Sequence, residues 1–215
     1  MNNQVYKHLS LPFGFKDSPR IFTKCMRQVL AELRRNKILC SAYIDDFYIQ
    51  GGSYNEAEQR INKSESFLKC LGFEISEKSI RRPVQVLPHL GFLLNSREMA
   101  VYLDDDKRNH IIDLIKTILA KGKCSVRRLA KVIGTLVASF PAVEYGRLFY
   151  RELEMIKIRS LRDSYNYEKI IWLTEESKEE LKWWIQEGVF SGKVISHGNQ
   201  IQLLKQTLQT LDMEE

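Results

Sequence analysis

Two adjacent carboxylates, Asp45 and Asp46, stand between two short apolar runs. Ile38, Leu39, Cys40, Ala42, Tyr43 and Ile44 precede them; Phe47, Tyr48 and Ile49 follow, before Gly51-Gly52. Two β-like runs that meet at Asp-Asp predict a tight hairpin. A hairpin tip is a poor place to bury charge, so both carboxylates are expected to face solvent or a cation. Paired oxygen donors on a rigid turn suit Mg²⁺ (or Mn²⁺), which takes a few carboxylates together with substrate phosphates. Asp-Asp is also ordinary turn chemistry, so the tetrad alone leaves both readings open.

The flanking periodicities extend the hairpin into an α+β layer. Val5 to Leu11 reads as a short strand ended by Pro12-Phe13-Gly14. Asp17-Ser18-Pro19 then marks a helix start, with Pro in the first turn. Ile21, Phe22, Cys25, Met26, Val29, Leu30 and Leu33 form a helical stripe to about Arg35. After the hairpin, Asn55 to Leu71 is a second amphipathic helix, stopped by Gly72. Phe73-Glu74-Ile75 alternates like a strand. The order strand, helix, hairpin, helix, strand predicts helices on one face of an antiparallel sheet.

A further hairpin is expected from Leu87 to Leu94 and Met99 to Leu103, turning across Asn95-Ser96-Arg97-Glu98. Beyond it Asp106 to Ala120, Ser125 to Phe140, Pro141 to Ile158 and Thr174 to Glu187 read as helices. The expected domains are therefore 1–103, a helical lobe over 104–190, and a polar tail over 191–215. A second acidic cluster, Asp104-Asp105-Asp106, opens one of these helices and is read as a cap that complements its dipole. A hairpin tip has no such need for two acids, which favours Asp45-Asp46 as the functional pair.

Charge points to the class of partner. The 215 residues carry a net charge of +6 and a pI near 9.1, which favours a polyanion. Lys121, Lys123, Arg127, Arg128 and Lys131 form a basic stretch without an acid. Lys16, Arg20, Lys24 and Arg27 recur every three or four positions, along one side of a helix. Each patch alone is compatible with a solvated helix face; two of them beside a candidate Mg²⁺ turn favour phosphate contacts. The four cysteines form no CxxC pair and the four histidines lie far apart, which argues for reduced, partly buried thiols rather than a zinc site. No apolar run reaches membrane-spanning length, and no signal pattern opens the chain, which fits an intracellular protein.

In order, Leu11-Pro12-Phe13-Gly14-Phe15, Ser18-Pro19-Arg20-Ile21-Phe22-Thr23-Lys24, Tyr43-Ile44-Asp45-Asp46, Gly72 to Ser79 and Leu90-Gly91-Phe92 resemble the motifs of retrotransposon reverse transcriptases. The helical half resembles the DIRS-like and gypsy-like lineage through Leu129 to Gly134, Ser139-Phe140-Pro141-Ala142 and Leu173-Thr174-Glu175-Glu176. The resemblance spans roughly Tyr6 to Lys193. It implies a partial polymerase palm followed by a thumb-like lobe, with an RNA template, an RNA–DNA hybrid and deoxynucleotides as partners. By this resemblance Asp45 would bind the catalytic metals, with Asp46 a weaker ligand, and Tyr43 would lie beside the primer end.

Phe13 and Gly14 would lie close to template and nucleotide, where a side chain on Gly14 would obstruct. Arg20 and Lys24 would lie along the template strand. Lys78 is similar to a lysine placed near the nucleotide phosphates, where an ammonium stabilises or protonates leaving pyrophosphate. Gly91 would belong to a primer-gripping hairpin. The basic stretch from Lys121 to Lys131 would hold the duplex backbone without reading its sequence.

The family's mechanism takes carboxylates from two segments, the second on a strand upstream of the Leu-Pro-Phe-Gly-Phe segment. Met1 to Leu11 contains neither Asp nor Glu. The expectation is a fragment with an incomplete metal ligand set, inactive by itself. The aspartate and Gly-Trp-Gly patterns of a following ribonuclease H domain are also lacking from the chain, so no such activity is expected. The alternative is a non-catalytic nucleic-acid-binding fragment or a retroelement relic.

Overall fold

The structure, a computed structural model, describes residues 7, 10–162 and 165–195. The chain divides into two compact units between Val84 and Gln85. The boundary expected near Asp104 lies later than this division. The reason is packing: Phe92, Val101 and Leu103 share one core with Ile111, Ile115 and Ile118 of the following helix, so the strands between them belong to the second unit.

In the first unit, helix α1 (Ser18–Arg35) has Pro19 in its opening turn and Arg34 and Arg35 in its last, where cations complement the dipole. Its buried stripe is Met26, Val29, Leu30 and Leu33. Strands β1 (Leu39–Tyr43) and β2 (Asp46–Gln50) pair antiparallel. Helix α2 (Tyr54–Cys70) is capped by Ser53, whose side chain accepts from Glu56 N, while Glu56 Oε2 accepts from Gly52 N at 2.6 Å. At its other end Gly72 N donates to Lys69 O and Phe73 N to Leu68 O, the paired closure of a Schellman motif. Met26, Val29, Leu33, Ile38 and Leu68 form the core, with Cys40, Phe47 and Ile49 of the hairpin packed on it. The helices thus cover one face of an antiparallel pair, as expected.

Two expected strands fare differently. Phe73 to Ile75 is not a strand: Phe73 and Ile75 pack on this core, but no strand pairs with them. Their alternation reflects burial of two side chains. The strand expected over Val5 to Leu11 lies for the most part outside the described residues. Among the thiols, Cys124 is buried and Cys40 half-buried, whereas Cys25 and Cys70 are exposed, contrary to the expectation of burial.

The second unit opens with β3 (Val86–His89), β4 (Phe92–Asn95) and β5 (Ala100–Leu103), joined at the far edge by the short β8 (Lys193–Val194) in the order β3-β4-β5-β8. The run expected as a single strand over Leu87 to Leu94 folds back on itself at Leu90-Gly91. Both residues have positive φ, 52° and 75°, as a two-residue type I′ hairpin loop requires.

Helix α3 (Asp105–Lys121) starts at Asp104, whose Oδ1 accepts from Lys107 N at 2.8 Å, so the second acidic cluster is a cap as read. Then come β6 (Lys123–Ser125), α4 (Val126–Val137), α5 (Arg151–Arg162), β7 (Ile170–Trp172) and α6 (Glu175–Gln186). The helix expected from Pro141 to Ile158 begins only at Arg151. Before it the chain turns closely past Phe140 and Trp184, where a Cβ added to Gly146 would lie 2.9 Å from the indole. Leu129, Leu136, Leu153, Leu181 and Trp184 lie at the centre of this core. Trp184 Nε1 is satisfied by Phe149 O at 2.7 Å. Among the described residues no helix is long and apolar enough to cross a membrane.

Candidate active site and nucleic-acid interface

The hairpin register fixes the geometry of the carboxylates. Tyr43 is the Cα partner of Asp46, Ala42 of Phe47 and Cys40 of Ile49. Successive side chains of a strand point to opposite faces. Cys40, Phe47 and Ile49 pack toward the helices, so Tyr43 and Asp46 belong to the other face. Ile44 and Asp45 form the loop, with Ile44 at a φ of 48°. A β-branched residue at positive φ is strained, and such strain persists where the surrounding structure over-determines it. Here the packed strands on either side hold it. Burial raises the Cys40 thiol, opposed by the Arg34 guanidinium, so this thiol is a core group rather than a nucleophile.

Asp45 and Asp46 are both exposed, and neither has an ion-pair or side-chain hydrogen-bond partner among the described residues. Unneutralised paired carboxylates on a rigid turn fit one hard divalent ion that completes its shell with water and phosphate oxygens. No group of three or more His, Cys, Asp or Glu side chains that could hold a metal ion occurs among the described residues.

The other expected residues of the first unit are exposed. Phe13 projects fully into solvent. Gly14 has a φ of +82° with no atom within 4 Å of an added Cβ, so here the backbone conformation demands glycine. Ser18 Oγ donates to Pro12 O at 2.9 Å and ties this loop to the start of α1. Arg20 and Lys24 lie on the solvent side of α1, opposite its buried stripe, with Arg20 3.5 Å from Asp17. Lys78 sits in an exposed turn whose backbone N–H donates to Ser76 Oγ at 3.2 Å.

In the second unit Gly91 has an internal role. A Cβ there would lie 3.3 Å from Lys107 Cδ, and Asp104 N donates to Gly91 O, so the turn docks on the start of α3. Lys121, Lys123, Arg127, Arg128 and Lys131 are all exposed, distributed over the end of α3, β6 and the first turns of α4.

The β6–β7 pairing sets aromatic residues beside this stretch that the sequence reading did not single out. Lys123 Nζ lies 5.0 Å from the Trp172 ring centroid, and the Arg127 guanidinium 5.8 Å from that of Tyr167. Arg127 also pairs with Glu168 at 2.6 Å, so it is partly neutralised. The available signal was local: Tyr165 to Trp172 mixes aromatic, basic and β-branched residues in the manner of an exposed strand.

Helices on one face of an antiparallel hairpin with paired acids at its tip, followed by a second unit of strands and helices, make a partial polymerase fold. Residues 1–92 match the family model described as reverse transcriptase (RNA-dependent DNA polymerase). The chain is 29% identical over 86 residues to the Gag-Pol polyproteins of Woolly monkey sarcoma virus and Gibbon ape leukemia virus. The match covers 39% of this chain and 5% of each polyprotein.

Among solved structures, foamy viral protease–reverse transcriptase in complex with double-stranded DNA superposes with a TM-score of 0.66 at 19% identity. That match covers 88% of this chain and 30% of the viral one. A foamy viral protease–reverse transcriptase in complex with an RNA/DNA hybrid gives 0.61 at 19% identity, over 85% of this chain and 22% of the viral one. At this identity the likeness is one of fold. The chain spans only a small part of the length of the relatives it matches.

Proposed function

We propose that this chain supplies palm and thumb-like parts of an RNA-directed DNA polymerase of a retroelement. The supporting observation is the Asp45-Asp46 pair, exposed and without an ion-pair partner at a strained two-residue turn and the strand position that closes it, within the segment that matches the reverse transcriptase family. Asp45 and Asp46 hold Mg²⁺ or Mn²⁺, which supplies charge neutralisation at the reacting phosphate. Tyr43, paired with Asp46, lines the primer side of the turn. Phe13, Gly14, Arg20 and Lys24 face the template, and Lys78 the nucleotide phosphates. Lys121, Lys123, Arg127, Arg128 and Lys131 hold the backbone of an RNA–DNA hybrid through phosphate contacts. The gypsy-like or DIRS-like ancestry rests on the motif resemblance of the second unit.

A two-ion clamp on attacking and leaving oxygens needs more carboxylate than one turn offers. The chain by itself is therefore proposed to bind divalent metal and primer–template without sustained synthesis. Primer extension on an RNA template with Mg²⁺ and deoxynucleotides tests this. The expected result is hybrid binding with little product. Robust synthesis that Asp45→Asn abolishes would show that the ligand set is complete; equal synthesis by parent and Asp45→Asn would reject the hairpin as the active site.

A second reading, a non-catalytic nucleic-acid-binding fragment, is favoured by the exposed basic stretch of the second unit. It is distinguished by metal: such a fragment binds the hybrid equally with and without Mg²⁺.

A further inference from the structure

We infer that the β6–β7 ribbon is a binding surface for single-stranded nucleic acid, with Trp172 as its stacking platform. This deepens the nucleic-acid reading of the second unit and is independent of the metal hairpin. The ribbon has two unlike faces. Cys124 and its partner Ile171 are both buried in the core. Strand alternation therefore turns Lys123 with its partner Trp172, and Ser125 with its partner Ile170, outward together. Trp172 is 70% exposed and Ile170 57% exposed, although both lie in regular strand beside a well-packed core. An indole left this open within a sheet is a large apolar surface, covered in part by the Lys123 side chain.

The surroundings select the partner. Lys123 lies against the indole, and Lys121, Arg128 and Lys169 are exposed nearby in the chain. Glu168, the acid within the 165–172 segment, is engaged by Arg127. Cations framing an aromatic ring match a ligand that is anionic along its backbone and flat and apolar along its bases. Within a duplex the base faces are covered by their neighbours, so an exposed indole gains a stacking partner only from an unpaired strand.

The framework is also rigid enough to present the ring. Arg127 N donates to Tyr167 O at 2.8 Å and Val126 N to Lys169 O at 3.0 Å, which fastens the approach to β7 along the start of α4. Leu173 N donates to Gly122 O at 3.0 Å and fastens its exit. The strand that carries the ring is thus held between backbone anchors on either side, which limits the backbone entropy lost when a base stacks on it.

The test uses the whole chain and a fluorescein-labelled oligothymidylate, with a blunt RNA–DNA hybrid for comparison. Trp172→Ala is expected to weaken oligothymidylate binding about tenfold, and Trp172→Phe to retain most of it, as stacking requires an aromatic face. Hybrid binding is expected to change less than about twofold in either variant, because phosphate contacts carry it. In the unaltered chain, oligothymidylate is expected to quench indole fluorescence; Trp184 is buried and Trp183 is stacked on Phe149 with 3.9 Å between ring centroids, so quenching reports Trp172. Oligothymidylate binding by Trp172→Ala equal to the parent, or unquenched indole at saturation, would overturn the inference. Asp45→Asn is expected to bind oligothymidylate as the parent does. Failure of the metal reading with strand binding intact would therefore leave this inference standing.

Discussion

Tyr43 and Asp46 are Cα partners at the closing position of the β1–β2 hairpin, so Ile44 and Asp45 alone make the turn. The pairing has a chemical consequence. Asp46 is held on a strand, on the face turned away from the core, while Asp45 occupies the loop itself. Two carboxylates adjacent in sequence are thereby fixed by different backbone constraints, one by the ladder and one by the turn.

The turn is strained at Ile44, whose φ of 48° costs a β-branched residue roughly 1–2 kcal/mol. Ile44→Asn places a residue that tolerates this conformation at an exposed position. It is expected to stabilise the chain by up to about 1 kcal/mol, read as a raised urea midpoint. A loss of about 1 kcal/mol or more would mean that the Ile44 side chain contributes packing that outweighs the strain.

Glu180 of α6 accepts hydrogen bonds from Glu152 N at 3.0 Å and Leu153 N at 3.1 Å, and so caps the start of α5 from a different helix. Glu180→Ala leaves both donors without this acceptor and is expected to cost about 1–2 kcal/mol in denaturant unfolding. An unchanged midpoint would show that water replaces the carboxylate without loss.

The same residue sets a pH dependence. Burial raises the Glu180 carboxyl above the usual glutamate range, against the opposing pull of its backbone donors. In the unfolded chain Glu180 releases its proton first as pH rises, so over that interval the folded state binds more protons and stability falls with pH. Glu180→Gln keeps an acceptor and has no proton to lose. Its stability is expected to decline less than the parent's from the ordinary glutamate range upward. Parallel pH profiles for the two proteins would contradict this account of Glu180.

Lys121, Arg128 and Lys131 are exposed cations without an ion pair among the described residues. Replacing all three with Ala is expected to lower the slope of log affinity against log salt for an RNA–DNA hybrid by about 2 to 3. An unchanged slope would place the hybrid elsewhere on the chain.

Much of this was legible where local pattern and packing agree. Helices α1 and α2 carry 3.6-residue stripes, and β1 and β2 are short apolar runs that meet at a turn, so tertiary contacts only reinforce local preference. Elsewhere the deciding contact is distant. The apolar run at Pro141 looked helical, but the chain there must pass close to Trp184. Strands β6 and β7 are three residues each and exist only as each other's partner, so neither announces itself. For that reason Lys123 and Arg127 stand out in the sequence as part of a basic stretch, whereas the Trp172 and Tyr167 rings beside them do not. The cap at Asp104 was legible in advance, because a helix start explains acids there.

The central claim is that Asp45 and Asp46 hold a divalent ion, and Mn²⁺ titration followed by backbone amide NMR tests it most directly. Paramagnetic broadening is expected first at Tyr43 to Phe47, to be competed by Mg²⁺, and to be lost from this segment in Asp45→Asn while the remaining spectrum is unchanged. Broadening that starts elsewhere, or that persists at these residues in Asp45→Asn, would contradict it.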